Sequence, residues 1–394
     1  VLAGGVPRTA AAAPQRPLVL VLALLAAVLQ PAHGARLNIR VAGTNASSAA
    51  VASAGPGGKA TAQREHPRVY FLFLAVDKVS NLDIWRAFFA RAPAEQYRAY
   101  VHCKLPSCIS MVKDSPLAVV PTVPSYYCTD LVSPMNQLVA HALGSDSESH
   151  FADKFAFISD STLPAKPFSE VYATLAGRRG SDFCVFPSNE WADMPSANGG
   201  MEIAVKHHQW ITLERGHAET ALALWSAGKL HDFMTRFHMN LEQYTWSNNT
   251  FADGRNWGCL DEFWHMAAIY GTLAHTHGAS EQRVELPLFV GAPLTISHGA
   301  GWQGECDTFV IWSKYLHLVG RNPFEDFFSS LDAPSIPHGG NVARPGWWDT
   351  ISSKGIAAIR RSSFLFVRKF IDAPRLADGT SFSATYGQIV LGIS

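Results

Sequence analysis

Order in this chain is written first as apolar runs. Positions 69–76 read Val-Tyr-Phe-Leu-Phe-Leu-Ala-Val, a nearly continuous hydrophobic stretch of strand length. Such a strand is buried on both faces, as in a parallel sheet covered by helices. Positions 81–89, Asn-Leu-Asp-Ile-Trp-Arg-Ala-Phe-Phe, change to helical spacing, and 97–102 return to a strand. Strand, helix, strand is the βαβ unit. The alternation predicts a helix over 133–143, a strand over 154–158 ending at Ser159-Asp160-Ser161, and a helix over 168–175. It then predicts a mainly helical stretch over 205–237 broken near Gly216 and Gly228, a strand over 308–312 and a strand over 364–367. The last strand runs straight into Arg368-Lys369-Phe370. The fold class read from this pattern is α/β, with a mostly parallel central sheet flanked by helices.

The run Cys259-Leu260-Asp261-Glu262-Phe263-Trp264-His265 sets two acids where a helix is expected to begin. Phe263, Met266, Ala267, Tyr270 and Leu273 recur at helical spacing, with Gly278 as the expected stop. Asp261 is expected to cap this helix and Glu262 to sit in its first turn. The positive end of the helix dipole favours an ionised carboxylate there, the form a general base requires.

The N-terminal pattern differs. Arg8 and Arg16 precede an apolar run from Leu18 to Leu29, and Ala32-His33-Gly34 has the small-x-small form of a cleavage site. The run is short for a bilayer span and fits a signal peptide or a short signal anchor over 1–35. Residues 36–66, rich in Ala, Gly, Ser and Thr, read as a flexible stem. No second linker follows residue 66, so 67–394 is expected to form one domain. Six cysteines without C-x-x-C, and sequons at Asn45 and Asn248, fit a secretory lumen. The cysteine pairing is left open by the sequence. Lys+Arg and Asp+Glu both number 32, which excludes the basic excess of a nucleic-acid binder.

Ligands bind at strand ends in open α/β sheets. Ser159-Asp160-Ser161 and Arg368-Lys369 both follow strands, and Asp261-Glu262 opens a helix. A sugar transferase needs a base for the acceptor hydroxyl and positive charge for a leaving diphosphate. Ser159-Asp160-Ser161 lacks the second Asp of an Asp-x-Asp metal motif, so Arg or Lys is expected to neutralise the diphosphate without a metal. Gly299 to Gly304 formally matches G-x-G-x-x-G but is followed by a strand pattern, which rejects a dinucleotide site. His207-His208 and His275-x-His277 read as solvated or core-edge residues, and Trp347-Trp348 as packing.

Six pieces in order carry a family resemblance: VYFLFLAVDK from Val69, YRAYVHCK from Tyr97, FAFISDSTLP from Phe155, KHHQWITLERGHAE from Lys206, CLDEFWH from Cys259, and IRRSSFLFVRKF from Ile359. Over about Val69 to Pro374 the chain resembles the core-2/I-branching β-1,6-N-acetylglucosaminyltransferases, plant and algal members included. The resemblance implies a GT-A-like Rossmann-type fold and an inverting, metal-independent transfer of a sugar, GlcNAc first, from a UDP-sugar to a glycan hydroxyl. It makes 67–394 a luminal glycosyltransferase domain, held on the Golgi membrane by the N-terminal segment, or secreted if that segment is cleaved. It implies Glu262 as the base and Arg360 with Lys369 on the diphosphate, Arg361 being the alternative to Arg360. Asp160, Gln209, Trp210 and Arg215 become candidates for the donor or acceptor site. His207 and His208 replace small residues of the family pattern. No cofactor beyond the donor is expected. The other classes are a non-catalytic glycan- or nucleotide-binding relative, and a secreted glycosidase using Asp160 and Glu262.

Overall fold

The computed structural model describes residues 62–186, 191–195, 200–237, 259–275, 295–298, 306–310 and 345–393. The apolar run at 18–29, both sequons, the 299–304 glycine run and His277 lie outside the described residues. In chain order the principal elements begin with β1 (Val69–Ala75), α1 (Leu82–Phe89), β2 (Tyr97–Cys103), β3 (Ala118–Val119), α2 (Val132–Ser145), β4 (Lys154–Ser159), β5 (Thr162–Pro164) and α3 (Phe168–Gly177). They continue with β6 (Asp182–Val185), β7 (Met201–Ala204), β8 (Thr212–Glu214), α4 (Arg215–Ser226), α5 (Lys229–Arg236), α6 (Trp264–Tyr270), β9 (Leu273–His275) and β10 (Thr295–His298). The last are β11 (Thr308–Val310), α7 (Ser353–Arg361), β12 (Phe366–Arg368) and β13 (Phe370–Leu376).

Among the described residues seven strands form the main sheet, in the order β3-β2-β1-β4-β8-β6-β10. Only β8 runs antiparallel to its neighbours. The continuous hydrophobicity of β1 has a simple cause in its alternating side chains. Val69, Phe71 and Phe73 join a core with Trp85, Phe88 and Phe89 of α1, Val171 of α3 and Ile356 of α7. Tyr70, Leu72 and Leu74 join a second core with Met135 and Leu138 of α2, Ala218 of α4 and Ile269 of α6. Helices thus cover both faces, and a polar residue in β1 would be buried on either side. Trp348 is fully buried beside Phe309 and Phe370, as the packing reading expected.

Three sequence expectations need correction. The stretch from Val205 is not mainly helical at its start: Thr212–Glu214 pairs with Lys154–Ala156 of β4, a long-range ladder that local spacing does not encode. Gly216 lies inside the first turn of α4, and the break falls at Gly228 alone, where φ is 75°. The helix after Glu262 stops at Gly271 (φ 79°) rather than Gly278, because Leu273 leaves it to pair with Ile203 of β7. The end of the expected stem is also tied down. Ala62–Gln63 pairs with Glu148–Ser149, and Arg64 forms a 2.6 Å ion pair with the buried Asp153.

Among the described residues no helix is long and apolar enough to cross a membrane. The six cysteines form three disulfides, Cys103–Cys108, Cys128–Cys259 and Cys184–Cys306, as fits a secreted or luminal protein.

Candidate active site

The strand order reverses at β1. Its partner β2 lies on one side and β4, later in the chain, on the other. The crevice beyond the carboxyl ends of two such strands is where open α/β sheets take ligands. Here β4 ends in Ser159-Asp160-Ser161. The Asp160 amide donates to Leu74 O at 3.0 Å, and the Ser80 amide donates to Asp160 O at 2.7 Å, so the turn is pinned to the end of β1. Ser159 Oγ lies 2.8 Å from Thr162 Oγ1 and 3.2 Å from Ser161 Oγ, which aligns the chain for its departure into β5.

β5 pairs antiparallel with β12, Thr162 facing Arg368, and the Phe370 amide donates to Ser161 O at 2.9 Å. This ladder brings Arg368 and Lys369 against Asp160. Burial pushes the Asp160 carboxyl above its ordinary range, opposed by the charges of Arg368 and Lys369. The Arg368 guanidinium lies 4.4 Å from the centroid of the Trp210 ring, close enough for cation–π attraction. Desolvation by burial lowers the Arg368 pKa to about 10, against the pull of Asp160 and Tyr127, so it remains a cation at neutral pH.

The second cluster is built on the 3₁₀ turn Leu260–Glu262, whose N-cap is Cys259. Glu262 caps this turn: its Oε2 accepts from the Cys259 amide at 3.1 Å. The same oxygen lies 3.5 Å from Lys206 Nζ, and Lys206 Nζ sits 4.7 Å above the Phe186 ring. The His207 amide donates to Glu262 O at 2.8 Å. The capping role expected of Asp261 therefore belongs to Glu262. The 3₁₀ geometry turns Asp261 inward instead, where it is 2 % exposed and its Oδ1 has no hydrogen-bond partner. Burial first, then the neighbouring Glu262 charge, pushes Asp261 up to about 8.

His207 and His208 are buried rather than solvated or at the core edge, and His265 is buried too. Desolvation pushes His207 down to about 4 and His265 down to about 3, so these two are neutral. His207 Nδ1 donates to His208 O at 2.7 Å, which leaves Nε2 as the acceptor nitrogen.

One linkage follows from the Asp261 environment. The unfolded chain ionises Asp261 near the ordinary carboxylate pKa, while the folded chain holds the proton to about pH 8. The folded state binds more protons across that window, so stability falls as pH rises through it, with a slope approaching about 1.4 kcal/mol per pH unit. Asp261→Asn is expected to flatten that part of a plot of unfolding free energy against pH. An unchanged slope would show that Asp261 is not the group responsible.

The two clusters meet through two chain segments. Lys206 touches Glu262, and four residues on Trp210 stacks on Arg368. Cys128 is bonded to Cys259, and the adjacent Tyr127 interacts electrostatically with Arg368. Both clusters, Glu262 with Lys206, and Trp210 with Arg368, Lys369 and Asp160, thus lie on the carboxyl-end side of the main sheet. Gln209 lies partly exposed next to Trp210.

Two expected residues are elsewhere. Arg360, in the last turn of α7, is paired at 2.5 Å with Glu170 of α3, and its carbonyl accepts from Lys166 Nζ. The β5–β12 ladder, with Phe366 opposite Pro164 and Arg368 opposite Thr162, separates it from Lys369. Arg361 is exposed on the same helix. The cation beside Lys369 is Arg368, which the sequence marks only as the basic residue directly after a buried strand. Arg215 lies at the opposite end of the sheet, 2.7 Å from the buried Asp153 and 3.2 Å from Glu219. It belongs to a structural ion network there. Among the described residues no group of three or more His, Cys, Asp or Glu side chains is placed to hold a metal ion.

In comparison with known proteins, the chain matches no family model and shows no significant similarity to a curated sequence.

Proposed function

We propose that this chain is an inverting glycosyltransferase that moves a sugar, GlcNAc first among candidates, from a UDP-sugar to a glycan hydroxyl without a metal. The observation that carries this reading is that an acid, Glu262, and two cations, Arg368 and Lys369, stand in two clusters linked by the 206–210 segment and the Cys128–Cys259 bridge, on the carboxyl-end side of the main sheet. Glu262 takes the proton of the acceptor hydroxyl as its oxygen attacks the anomeric carbon. The bond from that carbon to the UDP oxygen breaks on the opposite face. Arg368 and Lys369 neutralise the negative charge that develops on the leaving diphosphate, and Asp160, facing both, orients them. Lys206 and the Cys259 amide hold the base in position.

The mostly parallel sheet with one antiparallel strand supports a GT-A-like assignment, as do the six motif pieces. The disulfides support a luminal site of action, and the N-terminal apolar run supports Golgi anchoring. Purified protein is expected to release UDP from at least one donor of a UDP-sugar panel in EDTA, with an acceptor glycan present. UDP protection against thermal unfolding with no turnover would indicate a binding relative. Glycan cleavage without nucleotide would indicate a glycosidase.

A further inference from the structure

Tyr126 and Tyr127 are adjacent aromatic residues that remain 53 % and 50 % exposed. The turn that carries them is unusually well fixed. The Tyr126 amide donates to Asp130 O at 3.0 Å and the Asp130 amide returns a bond to Tyr126 O at 2.8 Å. Thr129 Oγ1 donates to Tyr127 O at 3.2 Å. Cys128 holds φ at 65°, a left-handed conformation uncommon for a residue with a side chain, and such outliers gather at ligand sites. Its disulfide to Cys259 welds this turn to the one bearing Glu262. Tyr126 is engaged by Lys104, whose Nζ lies 5.4 Å from its ring centroid. Tyr127 lies within electrostatic reach of Arg368.

We infer that Tyr127 is an acceptor-binding residue whose ring stacks against the apolar face of the acceptor sugar. This assignment rests on the transferase reading and deepens it. The acceptor hydroxyl must reach Glu262, and Tyr127 is one residue from the cysteine bonded to Cys259, whose amide holds the Glu262 carboxylate. Arg368, the cation assigned to the diphosphate, lies within electrostatic range of Tyr127. An aromatic ring supplies contact area to the C–H face of a sugar, and a phenol supplies a hydrogen bond to a hydroxyl. The turn is ordered before binding, so little entropy is lost on stacking.

The test varies acceptor concentration at saturating donor for wild type, Tyr127→Ala and Tyr127→Phe, with an N-acetyllactosamine oligosaccharide as probe. Binding of the same probe is followed by saturation-transfer NMR. Tyr127→Ala is expected to raise the acceptor KM about tenfold, in keeping with the loss of one aromatic stack. Its donor KM and UDP-induced thermal shift are expected to stay within about twofold of wild type, and Tyr127→Phe to retain most affinity. An acceptor KM indifferent to Tyr127 in an active enzyme would overturn the assignment and keep the transferase. A rise in donor KM instead would place the nucleobase on this ring and also overturn it. Glycan binding that depends on Tyr127 without any turnover would support the assignment and remove the transferase reading.

Discussion

Glu262→Gln is expected to lower kcat by about 10²–10⁴-fold, the contribution of a positioned general base, while UDP binding stays close to wild type. Asp261→Asn is expected to retain most turnover. The contrast is sharp because the two acids are neighbours in sequence, both buried, and differ in their partners. Glu262 shares Lys206 and the Cys259 amide, and Gln keeps the shape but cannot take a proton. Asp261 is enclosed, unpaired at Oδ1 and protonated to about pH 8, and Asn reproduces the neutral form. Single-turnover kinetics with an acceptor, together with UDP titration, separate the two effects. Equal loss in both variants would mean that the pair acts as a unit or that the turn has collapsed. Thermal unfolding of each variant distinguishes those cases.

Replacing Cys128 and Cys259 together by Ser is expected to cost about 2–5 kcal/mol of stability and to lower kcat more than it raises the donor KM. This bridge spans a sequence separation of 131, whereas Cys103–Cys108 spans 5. A cross-link that closes a long loop restricts the unfolded chain more, so the Cys103→Ser, Cys108→Ser variant is the milder control. The kinetic part has a separate cause. Cys259 is the N-cap of the turn that presents Glu262, and the Leu260 amide donates to Cys128 O at 3.4 Å. Without the bridge that turn keeps its packing on Phe233, Phe263 and Trp264, the Lys206 ion pair and the His207 amide bond to Glu262 O, but loses its covalent tie to the turn at Tyr126–Asp130. Arg368 and Lys369 sit on a different ladder, which is why donor binding is expected to suffer less.

The parts of the fold that were legible in sequence are those whose spacing is set by one buried face or two. β1, with Phe71 and Phe73 on one side and Leu72 and Leu74 on the other, could only be a strand covered twice. α1, α2 and α3 showed their buried stripes in the same way. β8 was hidden because its strand state depends on partners 56 to 60 residues earlier, Lys154 to Ala156. The site was half legible. Asp160, Glu262 and Lys369 stand out as charged residues at element ends. Choosing between Arg360 and Arg368 required the register of β12 on β5, and that pairing joins residues far apart in the chain. The capping role moved from Asp261 to Glu262 for a local reason. A 3₁₀ turn with Cys259 as its cap sends the third residue back to the amide and the second inward; a regular α-helix capped by Asp261 does neither.

The central claim is a single displacement driven by one base, Glu262, against a diphosphate held by Arg368 and Lys369. The anomeric configuration of the transferred sugar tests it most directly, read by proton NMR on product formed from an α-linked UDP-sugar. The account predicts a β-linked product from the first turnover onward; an α-linked product, formed with retention, would contradict it.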